Sequence, residues 1–191
     1  MEFIDNLRGG GHVGIELGRS VAAAELRGDP PRVLVAGHAA HASSSVRELG
    51  QWIRRWFETV GIKGRTARAV LVDGDVYHYL VNMPAMSDSE RHVAAGAEAR
   101  KLAPVPEGQL AYSHIAVGYV TEGGVAKEKV LISAIHKSTM RDAIDAIEAA
   151  GLSADAVTTV PTALAQVMGL LPLIAGITAV TYLSAGRSSL L

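Results

Sequence analysis

The chain contains no cysteine. That excludes a disulfide framework and thiolate metal sites, and it leaves no sign of an oxidising compartment. An excess of charge is also missing: 18 Lys and Arg stand against 19 Asp and Glu, a formal net charge of -1. Dedicated nucleic-acid binders concentrate basic charge on one face, so that class is set aside. A secretory leader is not expected, because Met1 to Asn6 carries Glu2 and Asp5 and no apolar run. A Gly-x-Ser-x-Gly elbow is absent too, which removes a common frame for nucleophilic hydrolysis.

The last absence is of charge between Asp155 and Arg187, where about 20 apolar residues would suffice to span a bilayer. Yet Ala163 to Leu183 includes Gln166, Gly169, Pro172, Gly176, Thr178 and Thr181. Gly169 to Pro172 reads as a break, and Ile177 to Leu183 as a strand rich in β-branched residues. A buried helix, a turn and a buried strand are expected there in place of a membrane span. With 49% apolar and 19% charged residues over 191 positions, the chain can bury a core as one domain or two small ones. It reads as a soluble, cytoplasmic α/β protein.

Strands are expected at His12 to Leu17, Val21 to Leu26 and Arg32 to Ala40, with turns at Leu17-Gly18-Arg19-Ser20 and Gly28-Asp29-Pro30-Pro31. Ser43 to Ser45 then cap a helix to about Val60, apolar at Val46, Leu49, Ile53, Trp56, Phe57 and Val60 and closed by Gly61. Two strands follow, Ala67 to Val72 and Val76 to Val81. Ser87-Asp88-Ser89-Glu90 is a capping-box pattern opening a helix to about Leu102, which Pro104 and Pro106 end. Ala111 to Thr121 and Lys129 to Ile135 read as strands around Gly123-Gly124. A helix from Thr139 is capped by Gly151, and Asp155 to Val160 is a strand before a helix to about Met168.

The informative element is Gly14-Ile15-Glu16-Leu17-Gly18-Arg19-Ser20, a Gly-bearing hairpin whose backbone N–H groups can form an anion-binding concavity. An ordinary hairpin fits the same residues. The grammar recurs where the strand ending at Leu183 runs into Ser184-Ala185-Gly186-Arg187-Ser188-Ser189. Two such hairpins, preceded by three antiparallel strands and then alternating helices and strands, resemble the first half of the actin-like nucleotide-binding fold.

More narrowly, the sequence resembles the PilM family of type IV pilus assembly, relatives of the division protein FtsA. Gly14 to Leu26 is similar to that family's first phosphate hairpin, and Met83-Pro84-Ala85-Met86-Ser87 with Glu90 to the start of its inserted subdomain. Glu98-Ala99-Arg100-Lys101-Leu102-Ala103-Pro104-Val105-Pro106 resembles its Glu-Ala-x-Lys-x-x-Pro-x-Pro stretch. Val130 to Ile135, the helix ending Ala150-Gly151-Leu152, and Pro161, Ala163 and Leu164 follow in the family's order. The resemblance implies an α/β, actin-like (ribonuclease H-like) mixed sheet with an inserted α+β subdomain. Its segments are 1–84 and 151–175 as the core, 85–150 as the insertion, and 176–191 as the start of a second half. The chain then reads as a first-half piece of a longer protein. Such a piece is expected to bind nucleotide poorly alone; a micromolar affinity for residues 1–191 would contradict this.

By the same resemblance, Glu16, Gly18, Arg19 and Ser20, with Ser184, Gly186, Arg187 and Ser188, would hold ATP with Mg²⁺. Two departures bear on the chemistry. The family usually has Asp at the positions of Glu16 and Ser184. A longer side chain shifts the first carboxylate by about a methylene, and Ser184 offers no charge for a hydrated Mg²⁺. Hydrolysis is therefore expected to be weak or lost, and no residue is assigned a catalytic role. The implied role is a cytoplasmic scaffold at the inner-membrane face that grips the tail of a PilN-like bitopic membrane protein. The alternatives are a type II secretion assembly protein (GspL-like) and an active actin-like ATPase.

Other patterns are read as structural. His38-Ala39-Ala40-His41 has a metal-pair separation, but on a strand the two side chains fall on opposite faces. His78, His92, His114 and His136 are scattered. Gly9-Gly10-Gly11 precedes a strand instead of opening a helix. Arg54-Arg55 beside Trp52 and Trp56 reads as a phosphate or membrane-surface patch, or simply as a solvated helix face.

Overall fold

The computed structural model describes residues 11–28, 31–72 and 76–168, and the backbone of 181–184 and 187–190. Its strands are β1 (His12–Leu17), β2 (Ser20–Arg27), β3 (Arg32–Ala40), β4 (Thr66–Leu71), β5 (Val76–Pro84), β6 (Leu110–Glu122), β7 (Val125–His136), β8 (Ser153–Thr159), β9 (Thr181–Ser184) and β10 (Arg187–Leu190). The helices are α1 (Val46–Val60), α2 (Asp88–Leu102), α3 (Lys137–Ala149) and α4 (Val160–Met168). The chain divides into two compact units, Met1–Asp73 with Met140–Thr158, and Gly74–Thr139 with Thr159–Leu191.

The first unit is built on a five-stranded sheet in the order β3-β2-β1-β4-β8. β1, β2 and β3 form the expected antiparallel meander, and β4 runs parallel to β1 with His12 opposite Thr66. Burial alternates along β1, β2 and β4, so Val13, Ile15, Leu17, Val21, Ala23, Ala67, Ala69 and Leu71 are buried. Fully burying a side chain such as Ile15 contributes about 1.5–3 kcal/mol. α1 begins where Ser45 accepts the Glu48 N–H at 3.2 Å and ends at Gly61, whose left-handed φ of 85° lets its N–H reach Phe57 O. Its Gly50 lies against Ala146 and Ala149 of α3.

β2 also carries a buried charge. Glu25 is 2% exposed and accepts the Lys63 N–H at 2.7 Å and Arg27 Nη2 at 2.9 Å. Burial raises its pKa, but the N–H groups of Lys63 and Gly64 together with Arg27 outweigh that and hold it below the usual carboxylate value. The carboxylate thereby ties β2 to the segment between α1 and β4.

The second unit has a three-stranded antiparallel sheet, β5-β7-β6. β7 is central, and Val130 to Ile135 is an unbroken buried run, as expected of a strand covered on both faces. α2 opens with the complete Ser87/Glu90 capping box and packs Ala95 and Ala99 with Met83, Val130, Ile132 and Ala134. Small residues on that helix bring it close to the sheet, and Gly96 sits directly against the Tyr112 ring. Arg91 anchors the helix start, with Glu128 at 2.9 Å, Asp88 at 2.9 Å and Met86 O at 3.1 Å.

Two differences from the sequence reading concern β5 and β7. The segment Val76 to Val81 was expected with the core at 1–84, whereas β5 pairs along its whole length with β7, from Val76 opposite Ile135 to Pro84 opposite Lys127. β7 starts at Val125, not Lys129, because Gly123 and Gly124 both take positive φ and close a two-residue turn. Among the described residues no helix is long and apolar enough to cross a membrane. The expected break at 169–172 and the strand residues 177–180 lie outside the described residues.

Candidate functional site

The β1–β2 hairpin is continuous in register from His12 opposite Leu26 to Leu17 opposite Val21, so Gly18 and Arg19 alone make the turn. Glu16 lies on the face of β1 opposite the buried Val13, Ile15 and Leu17, and it is partly exposed. Gly18 does not adopt a positive φ. Arg19 is exposed.

Two histidines of β3 and its exit hold this turn. His41 Nε2 lies 2.9 Å from Gly18 O, and His38 Nε2 lies 2.9 Å from Ser20 Oγ. A carbonyl oxygen only accepts, so His41 carries its proton on Nε2. Its Nδ1 then accepts the Ser43 N–H at 3.3 Å. The tautomer is thus settled by two backbone partners, and the turn is tied to the segment that starts α1. Because a peptide is planar and trans, fixing the Gly18 carbonyl also fixes the direction of the Arg19 N–H. The pair set aside as a metal motif on its strand geometry is a brace, although 18 and 23 residues separate its members from their partners.

The second hairpin exists in the backbone. β9 and β10 pair antiparallel with Ser184 opposite Arg187, and Ser188 follows on β10. Gly186 lies outside the described residues. Glu16, Gly18, Arg19 and Ser20 thus come together in the first unit, and Ser184, Arg187 and Ser188 in the second. Among the described residues no group of three or more His, Asp or Glu is arranged to hold a metal ion.

Sequence reasoning named Trp52 and Trp56 beside Arg54-Arg55 but did not foresee that they stack on each other and meet His41. Trp52 and Trp56 stack at 5.5 Å and 18°, and His41 lies 5.5 Å from Trp52. Their i, i+4 spacing was the available signal, although only Trp56 was placed on the helix's apolar face.

The fold and the hairpins define a class: an α/β protein of the actin-like, ribonuclease H-like type, with three antiparallel strands followed by strands added on the β1 side. Among solved structures, the chain is similar to the PilM–PilN type IV pilus biogenesis complex. There the TM-score is 0.69 at 19% identity, over 80% of this chain and 48% of that one. It is also similar to the cytoplasmic domain of EpsL, an inner-membrane component of the type II secretion system of Vibrio cholerae. That TM-score is 0.50 at 11% identity, over 78% of this chain and 57% of the other. The chain therefore spans about half the length of these proteins. At such identities the likeness establishes the fold. No family profile and no curated protein sequence matches the chain.

Proposed function

We propose that this chain is the actin-like part of a cytoplasmic scaffold in a type IV pilus inner-membrane assembly complex. On this reading it holds the cytoplasmic tail of a PilN-like bitopic membrane protein. The observation that carries the reading is the TM-score of 0.69 over 80% of the chain with PilM in a complex with PilN. The order of motifs from Gly14 to Leu164 supports it. A type II secretion counterpart is the second reading, favoured by the looser match to EpsL. Co-purification separates the two: the PilN-type tail should be retained and the type II partner should not, and the reverse result would select the second reading.

For nucleotide, the braced Gly18–Ser20 turn supports an anion cradle made of backbone N–H groups. Ser184 supplies no carboxylate for Mg²⁺, and Glu16 replaces the shorter Asp. Bound ATP would supply phosphate charge for the backbone N–H groups of the Gly18–Ser20 turn to hold, and its role would be to bias conformation. Turnover by the full-length protein near 1 s⁻¹, the low end of kinase-like rates, would refute the reading of lost hydrolysis.

A further inference from the structure

His92 of α2 and His114 of β6 meet where the helix lies over β6, an edge strand of its sheet. His114 is paired opposite Ile132, and Tyr112 opposite Ala134. Directly opposed residues of an antiparallel pair share a face. Ile132 and Ala134 belong to the core under α2, so both β6 side chains point toward the helix. On α2, Asp88, His92 and Gly96 recur at four-residue spacing and share one stripe. Gly96 lies against the Tyr112 ring, and the Tyr112 hydroxyl is 3.2 Å from His92 Nε2. The His92 ring stacks on Tyr112 at 5.0 Å and 25° and lies 5.4 Å from the His114 ring.

This seam suits neutral rings. His114 Nδ1 is buried and has no hydrogen-bond partner among the described residues. As a bare ring nitrogen it forgoes one bond, so the neutral ring carries its proton on Nε2. A second proton would make Nδ1 a buried, charged N–H with nothing to receive it. The charges around it do not remedy this. On α2, Asp88 favours a charged His114, but it is 85% exposed and bonded to Arg91 at 2.9 Å. On β7, Glu128 is taken up by the same Arg91 at 2.9 Å. β6 itself adds only the phenol of Tyr112. Burial above all holds the His114 pKa below its ordinary 6.5; Asp88 works against this, and His92 and Arg91 reinforce it.

We propose that this seam is a proton-operated latch: neutral His92 and His114 keep the first half of α2 closed on β6, and their protonation releases it. Two imidazolium rings 5.4 Å apart repel each other. Separating helix from strand relieves that repulsion and lets water reach His114 Nδ1. The open form therefore binds more protons than the closed one. Closure is fully favoured above pH 6.5 and is lost as the pH falls from there through the folded value. Histidine suits such a switch because its charge changes within the physiological range. The latch needs only the packing of the second unit and does not depend on which partner the protein holds.

Hydrogen exchange of the whole chain, read by mass spectrometry and corrected for the intrinsic pH dependence of exchange, tests this. Between about pH 7.5 and about pH 5, residues 88–96 and 110–116 should lose about tenfold in protection, while α1 changes little. His114→Phe leaves a ring that cannot charge and should abolish the pH dependence. His92→Gln removes the second imidazole and should reduce it. His78, on the other face of the sheet beside Ser133, also has a pKa lowered by burial and stays in place as an internal control. Protection in α2 that does not change with pH overturns the proposal, and so does a loss that persists undiminished in His114→Phe. If that variant does not fold, the His114 Cε1–H resonance of the unaltered chain decides. A titration midpoint at or above the ordinary 6.5 overturns the latch, and one below it, coincident with the loss of protection, supports it.

Discussion

Replacing Gly50 by alanine sets two effects of known sign against each other. In an exposed helix interior the change stabilises by about 1 kcal/mol, since alanine favours helix and glycine has more freedom to lose. At Gly50 the added Cβ would meet Ala149 Cβ at 2.5 Å, Ala146 O at 2.6 Å and Ala149 C at 3.1 Å. Two of those atoms are backbone of α3 and cannot rotate away, so one helix must move. Overpacking of this kind costs about 1–3 kcal/mol, and two contacts below 3 Å put the cost near the upper end. The net expectation is a loss of about 1–2 kcal/mol, or roughly 2–8 °C in Tm at the 2–4 °C per kcal/mol typical of this chain size. Urea unfolding followed by tryptophan emission is the suitable assay, because Trp52 and Trp56 both report the first unit. Gly14→Ala is the control: its Cβ would meet nothing within 4 Å, and glycine in a strand is about 0.5–1 kcal/mol less favourable than alanine. The same substitution should therefore destabilise at 50 and stabilise at 14. Adding Ala149→Gly should restore only part of the Gly50→Ala loss, since the Ala146 carbonyl remains. An unchanged or raised midpoint for Gly50→Ala would refute the packing argument.

Other outcomes follow from the buried charges and the caps. Glu25 has a folded pKa below its ordinary 4.5, so it contributes stability above that pH and loses it as pH falls through the folded value. Glu25→Gln should cost about 1–3 kcal/mol at pH 7, with the gap to wild type narrowing in urea titrations as the pH is lowered below 4.5; a gap independent of pH would contradict this. Arg91→Ala strands Glu128, 7% exposed, and should cost about 3–5 kcal/mol, with Arg91→Lys intermediate because it lacks the fork. Denaturant midpoints decide whether the lysine variant falls between the two. Ser45→Ala removes the α1 cap and should cost about 1 kcal/mol, measured by helix circular dichroism on thermal unfolding.

Much of this architecture was legible one element at a time. The β1 strand, the meander, the helix from Ser87 to Leu102 and the turn at Gly123-Gly124 are specified by alternation, caps and turn residues within a few positions of one another. The membership of β5 was not legible, because a strand's pattern tells which face is buried and not which neighbour it pairs with. The histidine pair was visible and read as structural, but what it holds was not legible. Its partners, Gly18 and Ser20, lie on another strand, and only the β2–β3 register brings them within reach.

By itself, the sequence determined which described segments are helix or strand, most of their ends to within a few positions, and that two glycine-bearing hairpins exist, since these depend on interactions spanning about four residues or fewer. Tertiary structure alone decided that Glu25 is buried beneath the Lys63 N–H, 38 residues away, that His41 locks the first turn, and that Trp52 meets His41. Those contacts follow from sheet order and helix docking, which are set by the summed burial of the whole unit and not by any one segment.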